Sequence, residues 1–326
     1  MAEAPGSTRV VFRQPVMTPA SNANLYALLA QGFPTDTDAC AIEAIEPDGS
    51  SLYYTWGDID RASAKIANLL VALKLPAGAR VAVQVEKSPE ALLLYLATLR
   101  AGYVYLPLNT AYQASELDYF LGNASPGLVV CSPSAESWVR PLAKRHRVGH
   151  VLTLDDRRQG TLLAAAAGQS DRFRTVRRAP GDLAAILYTS GTTGRSKGAM
   201  LSHANLSSNA QTLHHYWRWR RGDVLLHALP IFHVHGLFVA SHGALLAGAK
   251  MLWFEKFDPR ATIREMARAT VFMGVPTLYV RMLAEPSLTR EAAASMRIFL
   301  AGSAPLLPET FDAWRERTGH VILERY

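Results

Sequence analysis

The amino-acid sequence predicts an α/β protein: two doubly wound, mostly parallel sheets with helices on both faces. Two observations carry that expectation. Short runs such as ARVAVQV (79–85), YVYLPL (103–108) and KMLWF (250–254) are almost wholly apolar, as strands buried on both faces must be. Between them lie stretches with helical spacing and helix-start signals. With 326 residues, 49% of them apolar, the chain is long enough for two such lobes.

The elements follow in order. Residues 1–20 read as a loose tail. Thr55 and Asp58 have capping-box spacing, and Ile59, Ala62, Ile66, Leu69 and Leu73 fall on one helical face. ARVAVQV is a strand. SPEALLLYLATLRAG (88–102) has a serine N-cap, a proline at the first helical position and a glycine stop. YVYLPL is the next strand, SELDYFLGNA (115–124) a short helix and GLVVCS (127–132) a strand. These compose a first lobe over 21–160. A polar, basic connector over 161–182, with a short helix at Ala164–Ala167, leads to a second lobe over 183–326. Strands there are predicted at LAAILYTS (183–190), VLLHALP (224–230), KMLWF, TVFMGV (270–275), RIFLAG (297–302) and HVILE (320–324). Helices are predicted after His203, over 236–249 and over 258–269, the last capped by Asp258 and Pro259.

The net charge of +7 is dispersed in short clusters. It suits an anionic small molecule, and no nucleic-acid recognition motif accompanies it. Two cysteines without CxxC spacing point away from a disulfide framework and toward a reducing, cytoplasmic setting. The first residues lack the apolar core of a signal peptide, and no apolar run is long enough for a membrane span.

The chemistry concentrates in YTSGTTGRSKGAMLSH (188–203), which follows an apolar run. Glycines admit a close anion, successive N–H groups can form an anion nest, and the hydroxyls and Lys197 add donors and charge. Two common phosphate motifs fail on spacing. A Walker loop needs GxxxxGK followed by Ser or Thr, yet Ser196 stands five residues after Gly191 and Ala199 five after Gly194. A dinucleotide fingerprint needs GxG, which this stretch lacks. Six of the ten histidines lie between 214 and 242, but the HxH at 233–235 is completed by no HExxH or nearby cysteine, so no metal site is expected. Arg281 interrupts the apolar start of GVPTLYVRML (274–283). A buried guanidinium there would need an anion; an arginine reaching solvent or pairing with a nearby acid is the alternative.

YTSGTTGRSKG resembles the signature loop of the adenylate-forming superfamily, which includes acyl-CoA synthetases, luciferases and adenylation domains. PIFHVHGL (230–237), AGSAPL (301–306) and ERY (324–326) resemble that family's later motifs, in the same order. RSKG and the segments around 85–112, 228–241 and 272–283 resemble the malonyl-CoA synthetases within it. The resemblance runs from about Asn22 to the last residue.

It implies the large N-terminal domain of such an enzyme and a two-step reaction. A carboxylate attacks the α-phosphate of ATP and expels pyrophosphate; the CoA thiol then attacks the acyl-adenylate. ATP, Mg²⁺ and CoA are the implied cofactors, and a small dicarboxylate, malonate or methylmalonate, is the implied acid. Thr189, Ser190, Gly191, Thr192, Thr193 and Gly194 would wrap the β- and γ-phosphates, with Lys197 nearby. Gly302, Ser303 and Ala304 would line the adenine pocket, and Glu324, Arg325 and Tyr326 would belong to the nucleotide site, Tyr326 stacking on the base. Lys197 and His235 are the catalytic candidates. His235, Arg281 and Ser303 would face the acid, Arg281 holding the distal carboxylate with its fork of donors. The family's magnesium-ligating glutamate, its ribose-binding aspartate and a lid domain with a further lysine would follow Tyr326, so this portion alone is expected to turn over poorly. Another acyl- or aryl-CoA synthetase, or a non-catalytic nucleotide-binding fragment, is the alternative reading.

Overall fold

The structure is a computed structural model and describes residues 22–46, 48–189 and 196–325. Its first six strands are β1 (Cys40–Ile45), β2 (Ser51–Thr55), β3 (Arg80–Gln84), β4 (Val104–Pro107), β5 (Leu128–Cys131) and β6 (His150–Thr153). They are followed by β7 (Leu183–Thr189), β8 (Lys197–Ser202), β9 (Val224–His227) and β10 (Lys250–Phe254), then β11 (Val271–Gly274), β12 (Ile298–Gly302) and β13 (Ile322–Arg325). They form a seven-stranded sheet in the order β13-β12-β11-β9-β10-β1-β2 and a six-stranded sheet in the order β6-β5-β3-β4-β7-β8. Only β1 with β2 and β7 with β8 pair antiparallel; the other pairs are parallel.

Side-chain alternation along the strands builds three apolar layers. In β12, Ile298 and Leu300 enter the core between the sheets, while Phe299 and Ala301 enter an outer core with Tyr279 and Trp314. In β3, Val81 and Val83 face the shared core, and Ala82 faces a second outer core with Phe120 and Val139. The helix Pro89–Arg100 is buried along its whole length, as only a helix covered on every side can be. Its Tyr95 hydroxyl meets His242 Nε2 at 2.8 Å. The expected caps are formed: Thr55 and Asp58 cap reciprocally, Ser88 accepts from the Ala91 N–H, and Asp258 from that of Ala261.

Four strands exceed the sequence expectation, namely β1, β2, β6 and β8. They also change the chain division. The predicted boundary at 161–182 does not separate the sheets: β1 joins β10 of the distant half in the register Ile42↔Met251, and β7 joins β4 through Tyr105↔Ala185. Parallel neighbours are linked by crossovers, so closeness along the chain does not dictate which sheet a strand enters. In β1, Glu43 is only 2% exposed, yet it has Lys250 at 2.6 Å and Arg268 at 2.7 Å, both from the later half. Burial pushes its carboxyl up, but those hydrogen bonds outweigh burial and hold it below the ordinary range. The segment after the helix Thr161–Ala167 is docked rather than free: Asn24 Nδ2 donates to Leu99 O at 2.7 Å and to Val176 O at 2.9 Å. No helix among the described residues is long and apolar enough to cross a membrane.

Candidate functional site

The described ends of the signature stretch lie on the paired strands β7 and β8. Thr189 and Lys197 face each other in the last described pair, and Thr189 Oγ1 lies 3.4 Å from Lys197 O. Ser190, Gly191, Thr192, Thr193 and Gly194 lie outside the described residues. Two side chains of the helix Ala114–Ala124 brace the stem: Tyr119 Oη donates to Ser196 O at 2.8 Å, and Tyr188 Oη donates to Asn123 Oδ1 at 2.5 Å. The Lys197 side chain is exposed.

The hairpin runs directly into the helix His203–Tyr216, whose start is closed by a Ser202–Asn205 capping box. Its first residue, His203, is fully buried and accepts the Leu25 N–H on Nδ1 at 3.0 Å. Burial, then the nearby Arg178, lowers that imidazole to about 4. On the same helix Asn209 faces the other sheet: its Oδ1 accepts from Arg325 Nη2 at 3.4 Å.

After β9 the chain turns through 228–234 into a π-helical segment, His235–Ser241. Such segments widen the backbone spiral and recur at functional sites. Gly236 is required here, because a Cβ would overlap the carbonyl oxygen of Pro230. Gly236→Ala is therefore expected to cost about 1–3 kcal/mol through forced backbone movement. Urea unfolding checks it, and a variant as stable as the parent would contradict this tight closure.

The turn presents His235, 7% exposed, to the end of β12, where Ser303 Oγ lies 3.4 Å from His235 Nδ1. Ser303 occupies left-handed backbone space at φ 68°, which bends the chain out of the sheet. Gly302 is closely approached: a Cβ there would sit 3.0 Å from Arg325 O and 3.2 Å from His235 Cε1, so either neighbour would have to give way slightly. Burial, and behind it the charge of Arg325, lowers His235 to about 4, so the imidazole is neutral at neutral pH. Glu324 Oε1 accepts the Leu306 N–H at 2.9 Å, so this carboxylate ties the 303–307 loop to β13. Ala304 is half-buried in that loop, and Tyr326 lies outside the described residues.

The structure thus brings Gly302, Ser303, His235 and Arg325 together at the carboxyl ends of β9, β12 and β13. Arg281 is not part of that cluster. It is exposed on the helix Pro276–Leu283, with its guanidinium stacked 4.8 Å from the Phe257 ring centre. Its head reaches solvent, as the alternative reading allows, and among the described residues it is paired with no acid.

A cleft of about 540 Å³ joins the hairpin stem to the turn before His235. Thr189, Asn205, Asn209, Phe232 and His233 line it, with no carboxylate among the lining residues. A larger cleft of about 1010 Å³ lies at the ends of β1 and β10. Its charges are largely satisfied in place, with Arg158 2.9 Å from Glu46 and Lys256 3.3 Å from Glu255. The smaller cleft holds no acid to repel an anion, and Thr189, Asn205 and Asn209 offer it hydroxyl and amide groups. Sequence reasoning passed over Tyr119, Asn123, Asn209 and His227. The sequence carries no local signal for the first three. The last sits in VLLHALP, where a polar residue among apolar ones was a visible cue.

Comparisons with known proteins agree with this geometry. The AMP-binding enzyme family matches residues 30–326. A malonate–CoA ligase of Arabidopsis thaliana is 27% identical over 346 residues, covering 94% of this chain and 56% of that protein. The mitochondrial malonate–CoA ligase ACSF3 of Mus musculus is 32% identical over 255 residues, covering 71% and 42%. The chain thus spans about half the length of the curated relatives it matches. Crystal structures of MatB from Rhodopseudomonas palustris, one apo and one ATP-bound, superpose with a TM-score of 0.88 at 53% identity, covering 94% of this chain and 60% of theirs. Motif order, sheet topology and the match over most of the chain lead to one conclusion: the chain belongs to the AMP-binding enzyme family.

Proposed function

We propose that this chain carries the ATP and acid sites of an AMP-forming acid–CoA ligase whose acid is a small dicarboxylate, malonate or methylmalonate. The observation that carries the reading is the convergence of His235, Ser303, Gly302 and Arg325 beside a carboxylate-free cleft that begins at the signature hairpin. The similarity to malonate–CoA ligases and to MatB supports the choice of acid.

In this reading Thr189 and Lys197, with the loop between them, hold the polyphosphate of ATP. Gly302 to Ala304 and Arg325 border the adenosine. The substrate carboxylate attacks the α-phosphorus and pyrophosphate leaves; the CoA thiol then attacks the acyl carbonyl, and AMP leaves. Negative charge grows on phosphate oxygens in the first step, so fixed cations and N–H donors there lower its barrier. His235, neutral and tied to Ser303, orients the acid without competing for its charge. Arg281, with unspent donors and one face against Phe257, takes the distal carboxylate. Magnesium would enter with ATP and supply positive charge to the phosphates beside Thr189 and Lys197. The proposed partners are the acid, ATP and CoA, and two unpaired cysteines, Cys40 and Cys131, suit a cytoplasmic location.

Thioester formation from ATP, CoA and a panel of acids tests the proposal. Malonate or methylmalonate should be preferred, with AMP as the nucleotide product. Preference for octanoate or benzoate, or release of ADP, would overturn it.

A further inference from the structure

Lys87 is 7% exposed and is none of the site residues named above. It sits between β3 of the six-stranded sheet and the buried helix Pro89–Arg100, yet its ammonium serves the other sheet. Nζ donates to His227 O at 2.7 Å and to Phe254 O at 2.6 Å, the last residues of the adjacent strands β9 and β10. It also lies 4.5 Å from the centre of the Trp253 ring, against which the His227 ring packs at 4.4 Å.

From His227 the connection continues into the turn. Its Nε2 is 3.1 Å from Gly236 O and 2.9 Å from Ser241 Oγ, and Ser241 Oγ donates to Gly236 O at 2.9 Å. The serine proton is committed to that carbonyl, so Nε2 carries the imidazole proton and Nδ1 is the bare nitrogen. That nitrogen is buried without a partner among the described residues. The imidazole therefore holds one orientation only while its own backbone is held, and Lys87 holds it.

We propose that Lys87 is a positioning residue for the acid site: by bridging the two sheets it fixes the carboxyl ends of β9 and β10 and, through His227, the π-helical turn that presents His235. The inference rests on the reading of His235 as an acid-site group. Removing the amine takes a donor from two strand-end carbonyls in a dry interior, and the cheapest relief is for β9 to shift toward water, carrying 228–236 with it.

The test is histidine-selective ¹⁵N NMR of this chain as parent, Lys87→Met and Lys87→Gln. Val129→Ala, in the six-stranded sheet away from the turn, serves as a stability control. In Lys87→Met the His227 ring should begin to exchange tautomers and the His235 ring signals should move, while Val129→Ala lowers the melting temperature and moves neither. Malonate affinity should fall roughly tenfold, with ATP affinity changed by less than about twofold. A Lys87→Met protein that is less stable but whose His235 signals overlay the parent's would overturn the proposal. If Lys87→Met does not fold, Lys87→Gln is read by the same criterion. Ring signals that move while malonate affinity stays constant would overturn the placement of malonate beside His235, and leave the tie between the sheets standing.

Discussion

Lowering the pH from about 7 to about 5 is expected to remove most of the folding stability. His203, His227, His235 and His242 are each less than a tenth exposed. Burial lowers all four: His203 and His235 to about 4, His242 to about 3, and His227 well below its ordinary value. The native state therefore holds them neutral, while the unfolded chain protonates them near 6.5. Between those two values the unfolded state binds more protons, so stability rises with pH across the window and is lost as pH falls through about 6.5. At about pH 5 His203, His235 and His242 each cost about 2 kcal/mol and His227 acts in the same direction, a sum comparable with the lower end of the roughly 5–15 kcal/mol by which a domain is stable. Urea titrations at stepped pH read this directly. The midpoint should fall steeply below about pH 6.5, and a flat midpoint down to about pH 5 would mean that these imidazoles are not held neutral.

Under the proposed function Arg281→Ala is expected to lower kcat/KM for malonate on the order of a thousandfold, because the distal carboxylate would lose its proposed charged, two-pronged partner, which stands outside the His235 cluster. ATP affinity should stay within about twofold, since the nucleotide groups lie on β7, β8, β12 and β13 rather than on this helix. Stability should change by no more than about 1 kcal/mol, the worth of one exposed stacking contact on Phe257. Arg281→Lys keeps the charge and loses the fork, and should fall in between. Steady-state kinetics with malonate and with a monocarboxylate separate the cases: a loss confined to malonate supports the assignment, and unchanged malonate kinetics would sink it.

Much of the fold was legible because its central strands are buried on both faces and therefore apolar throughout. β3, β4, β5 and β12 were read close to their ends for that reason. β8 was not, because KGAMLS is an edge strand whose first four residues are exposed, and burial imposes no apolar pattern there. β1 and β2 were missed for a different reason. They join the distant half through strand register, and Glu43 breaks the apolar run of β1 with a charge neutralised only by Lys250 and Arg268, far along the chain.

The site was legible where glycine or small residues mark a close approach. Gly302 and Ser303 meet His235. Glu324, expected at the nucleotide site, also anchors a loop through one backbone N–H that no sequence pattern announces. Lys87 shows the limit most plainly. A lysine between a strand and a helix cap is ordinarily a surface residue, and only the meeting of the two sheets gives it a buried task.

The central claim is that the cleft between the hairpin and the His235 turn activates a small dicarboxylate as its adenylate. It is tested most directly by exchange of labelled pyrophosphate into ATP without CoA, using this chain joined to the carboxyl-terminal remainder of MatB and confirmed as folded by circular dichroism. The account predicts exchange that requires malonate or methylmalonate and disappears in Arg281→Ala. Exchange driven equally by octanoate, or malonate-dependent exchange that survives Arg281→Ala undiminished, would contradict it.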